Sequence, residues 1–443
     1  MPRITKLIFC LIMALSFAAC GFDFDFAPER AAVNVSDVAS GFIPLDASEV
    51  DDEPKYPIPH IVFVRYDDYI LSMYEPPHGC YLGAFIEEDS LLEGDIGMFE
   101  RMSGVNHAVY SYKYTLGNAF PARFVLQSLA RSKTPLVEIR LPESVDMYTS
   151  IELYELYVLT EDLAMAFGEF NVPMFISFNA SEAGLEKDMS KEFFIMLRKA
   201  FAQHAPKCAF VWAINLESAG NVLYMLNYYP GDEWVDWVGI NAFSNITTEG
   251  GHSDIFESLD AFYFAFQKRK PIMITELGVS SFSTIDHTYK VAEAALVIQN
   301  IYERISIRYP RIKAVIYAGH TRHFGRILQS YRIADSNHLL EAYRTAAQSE
   351  WFISDIDTKS EGKNIAQWIL SQHTAKVVNG NVFILIESFE DDFGIPRTEL
   401  NRYVEYLEIF DDEPFFNSRL LHNFGVRSIT VDESGGRVFI SRD

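Results

Sequence analysis

The chain has 443 residues, 49% hydrophobic and 14% aromatic, enough for one large core and a smaller second domain. Its 61 acidic against 37 basic residues give a formal net charge of -24. Such a surface repels nucleic-acid phosphates and disfavours an anionic polysaccharide, while a neutral polysaccharide stays open.

Arg3 and Lys6 form a positive n-region ahead of the apolar run Leu7–Phe17, which is short for a stable membrane span. Phe17-Ala18-Ala19-Cys20 follows and resembles the lipobox of bacterial lipoproteins. That resemblance implies a signal peptide over 1–19, lipidation at Cys20 and a cell-envelope location. An ordinary secretory leader is the alternative. Residues 20–55 are acidic, carry interspersed prolines and lack a sustained period, so a tether is expected there.

From Cys80 to Phe352 short apolar runs alternate with longer amphipathic ones. Strands are expected at Tyr81–Ile86, His107–Tyr112, Pro135–Leu141, Pro173–Phe178, Ala209–Asn215, Trp237–Phe243, Ile272–Glu276 and Lys313–Tyr317. Helices are expected at Ser150–Phe167, Ser190–His204, Ile255–Lys268 and His287–Arg308. Eight such units match an α/β fold of the (β/α)8 TIM-barrel kind, assigned to residues 56–355. No glycine-rich phosphate loop follows the first strand, which argues against an open dinucleotide-binding sheet. Residues 356–443 read as a small α+β module, with a helix near Ile365–Gln372, a strand at Val382–Glu387 and a hairpin at Ser428–Ile440. Two segments of this module loosely resemble copper-amine-oxidase-like repeats, but no copper site follows from that.

Retaining hydrolysis of a glycosidic bond needs two carboxyl groups about 5–5.5 Å apart. On a barrel both must project from strand C-terminal ends into one mouth. Glu276 closes the run KPIMITELG, and period-2 alternation places it on one face with Ile272 and Ile274. Glu182 follows the fourth strand in VPMFISFNASEAG, with Glu217 after the fifth strand as the fallback. Asn215 and Asn241 close strands and could bind sugar hydroxyls. Trp212 and Tyr317 could line the mouth or pack in the core. Tyr110, Tyr112 and Tyr114 fit an ordinary strand face better than a stacking platform. His320 and His323 have no third ligand at suitable spacing, so no metal is expected. Cys80 and Cys208 could be neighbours, although sequence cannot pair them.

Several segments in order resemble glycoside hydrolase family 26, the β-mannanase family. They are YLGAF, VPMFISFNASE, YYPGDEWVDWVGINAF, KPIMITELG, YPRIKAVIYAGH and YRIADSNHLLEAYRTAA. The resemblance implies Glu276 as nucleophile, Glu182 as general acid/base and a neutral β-linked polysaccharide, most simply mannan. No cofactor and a monomeric state are expected, and the lipobox resemblance makes the N-terminal lipid the contact with the membrane. The chain departs from the family around the acid/base, where Ser181 precedes Glu182 and Ala183-Gly184-Leu185 follow. Phe243 stands where the family carries a tyrosine that supports the nucleophile, so a hydroxyl donor is missing beside the substrate-binding positions.

Overall fold

The computed structural model describes residues 57–142, 150–216 and 221–442. The expected leader, Cys20, the tether and Glu217 lie outside the described residues. Among those described, no helix is long and apolar enough to cross a membrane.

The first strand, β1 (Ile58–Ile70), stands apart from the barrel that follows. The barrel strands are β2 (Cys80–Phe85), β3 (Val109–Thr115), β4 (Thr134–Arg140), β5 (Met174–Asn179), β6 (Cys208–Asn215), β7 (Trp237–Ser244) and β8 (Ile272–Val279). The eighth is β11 (Ile312–Ala318), which follows the short strands β9 (Phe282–Ser283) and β10 (Thr288–Tyr289). All neighbours are parallel, and β11 pairs with β2 from Ala314↔Tyr81 to Ala318↔Phe85. This closure makes the (β/α)8 TIM barrel. Each strand is apolar because parallel strands are buried on both faces.

Side-chain alternation sorts the strands into two apolar cores. Tyr81, Phe85, Val109, Leu136, Phe175, Val211, Trp237 and Met273 fill the barrel interior. Tyr110, Val137, Phe178, Trp212, Ile240 and Ile274 face outward, in the core shared with the helices. The helix Val291–Arg308 buries Ala294, Ala295, Ile298, Ile301, Tyr302 and Ile305 there, a stripe at helical spacing.

Beyond the barrel, β12 (Thr321–Phe324) and β13 (Ile327–Ser330) form a hairpin that joins β9 and β10 in a four-stranded sheet. A two-residue strand, β14 (Phe352–Ile353), adds to β2. The remaining strands are β15 (Asn364–Val378), β16 (Asn381–Leu385), β17 (Leu407–Phe410), β18 (Glu413–Asn417), β19 (Ser428–Asp432) and β20 (Arg437–Ser441). They form a seven-stranded sheet in the order β17-β18-β16-β15-β1-β20-β19.

Two expectations change here. Residues Ile58–Ile70, placed by sequence in the barrel segment, lie inside this sheet, antiparallel to β15 and parallel to β20. The module is therefore built from both ends of the described chain rather than from residues 356–443 alone. The helix expected near Ile365–Gln372 is part of β15, because a long ladder with β1 outweighs local propensity. The β15–β16 turn carries Asn379 (φ 49°) and Gly380 (φ 74°), the left-handed pair that a tight hairpin requires.

The N-terminal end of the barrel is closed by a buried polar network. Arg311 Nη1 lies 2.6 Å from Glu75 Oε1, and both side chains are fully buried. Glu75 also accepts from Tyr69 at 3.0 Å, and Arg311 Nε donates to the Gln267 carbonyl at 3.0 Å. Gln267 exchanges two hydrogen bonds, each 2.9 Å, with the backbone of Leu370 on β15, which ties barrel to sheet. Cys80 and Cys208 are both buried free thiols.

Candidate active site

The polar ends of the inward-facing rows converge at the C-terminal mouth. Strand β3 sends Lys113 inward, while Tyr110 and Tyr114 belong to the outer core. Strand β4 contributes Glu138 and Arg140, two residues apart and hence on one face. Asn179 and Asn215 close β5 and β6, and Asn179 Nδ2 donates to Asn215 Oδ1 at 2.9 Å.

Glu276 reaches this mouth through a bulge. Across β7, Ile240 pairs with Ile274, yet the next residue, Asn241, pairs with Glu276. Across β11, Val315 pairs with Ile274 and Tyr317 with Leu277. The extra residue breaks the alternation, so Ile274 and Leu277 both join the outer core. Glu276 turns inward beside Lys113 rather than staying on the face of Ile272 and Ile274, which corrects the period-2 expectation.

Lys113 Nζ lies 2.7 Å from Glu276 Oε1. His320 Nε2 stands 3.9 Å from Oε2. Glu276 is only 1% exposed, and burial pushes its carboxyl up to about 7 even though Lys113 pulls it down and Glu138 and Glu182 add to the rise. Burial works against Lys113 as well, but the charges of Glu276 and Glu138 hold its ammonium above the usual lysine range. His320 is kept neutral, its pKa pushed down to about 2 by burial and then by Lys113, Arg322 and Arg140. His323 lies on the exposed β12–β13 hairpin, so the two histidines do not act together.

Glu182 sits in the turn after β5, where its backbone N–H donates to the Asn179 carbonyl. Its carboxylate is shared by two guanidinium groups: Arg140 Nη2 at 3.3 Å and Arg322 Nη2 in direct contact. Burial would raise the Glu182 carboxyl, yet Arg322, Lys113 and Arg140 together hold it below the usual range. Arg140 also bonds Glu138 Oε1 through Nε at 2.7 Å. Arg322 comes from β12, and its guanidinium lies 4.8 Å from the centre of the Phe243 ring. A cleft of about 290 Å³ opens beside Glu182, lined among others by Glu138, Arg140, Asn179 and Phe178.

The structure thus brings Glu182, Glu276, Asn215, Asn241 and Phe243 to one end of the barrel. Trp212 and Tyr317 are not there. Trp212 packs on Tyr229 and Phe266 in the outer core. Tyr317 donates to the Tyr331 carbonyl and packs on Tyr343. The residues missed from sequence are Lys113, Glu138, Arg140 and Arg322. The alternation of Tyr110, Tyr112 and Tyr114 held the signal for Lys113, because an outer row of tyrosines puts the residues between them inside. Among the described residues, no group of three or more His, Cys, Asp or Glu side chains could hold a metal ion.

No protein-family model matches the chain. Endoglucanase H of Acetivibrio thermocellus is 27% identical over 150 residues, which is 33% of this chain and 15% of that protein, so only a small part of its length is matched. A family 26 β-mannanase of Bacteroides ovatus superposes with a TM-score of 0.46 at 14% identity, over 65% of this chain and 93% of that one. A Cellulomonas fimi endo-β-1,4-mannanase double mutant gives 0.48 at 14% identity, over 79% and 94%. Cel5A of Thermotoga maritima with cellobiose gives 0.44 at 12% identity, over 59% and 97%. At these identities the chain is similar to these proteins without being assigned to their families.

Proposed function

We propose that the barrel is a retaining glycoside hydrolase of a neutral β-linked polysaccharide, with β-mannan as the first substrate to test. The observation that carries this reading is the convergence of Glu276 and Glu182 from the seventh and fourth barrel strands on one mouth, Glu276 paired with Lys113 and Glu182 with Arg140 and Arg322. The order of the sequence motifs and the matched segment of an endoglucanase support it. Glu276 would attack the anomeric carbon while Glu182 hands its proton to the departing glycosidic oxygen, leaving a glycosyl ester on Glu276. Water, deprotonated by Glu182, would then displace Glu276 with a second inversion.

The charges in the mouth stand the other way round, with Glu276 high and Glu182 low. The reactive form, Glu276 ionised and Glu182 protonated, is then a minor species. Its share is flat between the two pKa values and falls about tenfold for each unit that separates them. The alkaline limb of kcat/KM reports Glu276 and the acidic limb Glu182, the reverse of the usual assignment. The test is hydrolysis of β-mannan and β-glucan by the purified chain, with the product anomer followed by proton NMR. Glu276→Ala and Glu182→Ala should each abolish it, and activity that survives Glu276→Ala refutes the site.

A second reading, a carbohydrate-binding protein that no longer cleaves, is favoured by the two arginines on Glu182 and the burial of Glu276. Retention of manno-oligosaccharides without any cleavage would establish it. We also propose that Cys20 anchors the chain to the cell envelope by a lipid. Cys20→Ser should then release the protein from the detergent phase on Triton X-114 partitioning, and unchanged partitioning would refute the anchor.

A further inference from the structure

We infer that Lys113 is the positioning residue for Glu276: it holds Oε1, keeps the carboxylate available in its ionised form and leaves Oε2 as the attacking oxygen. This rests on the hydrolase reading above. Among the described residues, Lys113 is the one lysine or arginine in ion-pair contact with Glu276. Among the described residues, the ion-pair contact of the other oxygen, Oε2, is with the neutral His320, at 3.9 Å. Asn241, opposite Glu276 in the β7–β8 register, spends its Oδ1 on the Thr275 hydroxyl at 2.6 Å, and its Nδ2 makes no hydrogen bond. Phe243 supplies no hydroxyl. Support for the carboxylate therefore comes from β3 and not from β7.

The groups that face Glu276 are Lys113 from β3, Glu138 and Arg140 from β4, Glu182 after β5, and His320 and Arg322 after β11. Two of these are acids that oppose ionisation of Glu276, and Arg140 and Arg322 are engaged with Glu182. Lys113 is itself fixed, its ammonium 4.6 Å from the centre of the Phe85 ring. Its acidic neighbours keep it protonated, so it serves as a counter-ion and not as an amine nucleophile.

Lys113→Met, Lys113→Gln and Lys113→Arg in the full chain test this. Carboxyl carbon NMR of glutamate-labelled protein, with the Glu276 signal assigned by its loss in Glu276→Gln, reads the titration directly. Lys113→Met should raise the Glu276 midpoint by at least about one unit, with the kcat/KM plateau on mannan falling about tenfold per unit and the alkaline limb moving up with it. Lys113→Arg should keep the wild-type midpoint. If Lys113→Met does not fold, Lys113→Gln carries the measurement. A Glu276 midpoint unmoved in the neutral variants overturns the inference. A wild-type chain that cleaves nothing while the midpoint still rises overturns the hydrolase reading and supports the hold of Lys113 on Glu276.

Discussion

Arg322→Ala should make the mouth more active near neutral pH, not less. Arg322 reaches across from the β12–β13 hairpin to Glu182, and the two side chains are 24% and 21% exposed. At an effective dielectric near 20, such a contact is worth about 4 kcal/mol before solvent screening. Partial exposure, and the continuing presence of Arg140 and Lys113, reduce that effect, but the Glu182 carboxyl should still move up once Arg322 is gone. Because Glu182 is the low member of the pair, that rise enlarges the reactive fraction. The kcat/KM plateau on mannan should increase by roughly 10-fold per unit, and the acidic limb should move up by the same interval. Glu182 also links the mouth to stability. Its depressed pKa gives stability that is present above the ordinary value of 4.5 and lost as pH falls through the folded value. Urea unfolding of Arg322→Ala should therefore be less acid-sensitive below that value. A plateau that drops while the acidic limb stays in place would refute the reasoning and make Arg322 a binding residue.

Two further changes probe the frame and the buried acid. Arg311→Ala leaves Glu75 without its partner at the closed end of the barrel and should cost about 3–5 kcal/mol in urea unfolding, with a cost under about 1 kcal/mol contradicting the network. The raised pKa of Glu276 makes stability fall as pH climbs from about 4.5 to about 7, since the unfolded chain ionises first. Glu276→Gln should flatten that part of the stability profile, and an unchanged slope would place the titrating group elsewhere.

The barrel was legible because parallel strands buried on both faces leave short apolar runs, and each of the eight expected strands overlaps an observed one. Glu276 was legible for the same reason, as a charge at the end of such a run. Its orientation was not, because a bulge is an irregularity of pairing that no single-strand period reveals. Lys113 was missed although the tyrosines around it, read as an ordinary strand face, leave it on the opposite, inward face. Arg322 entered the mouth through tertiary placement of a hairpin, with no local signal. The β15 strand was misread, although Val378-Asn379-Gly380-Asn381 carried a strong hairpin signature that favours strands on both sides. The location of β1 depended on partners about 300 residues away, beyond any window of local pattern.

That location has a consequence during synthesis. The β1 segment leaves the ribosome first among the described strands, yet its partners β15 and β20 are among the last to be made. The barrel can close while β1 still waits with both edges unpaired. Through that interval IVFV is an apolar strand edge open to other chains. A product cut short after the barrel would lack both partners of β1 and would keep that edge unpaired.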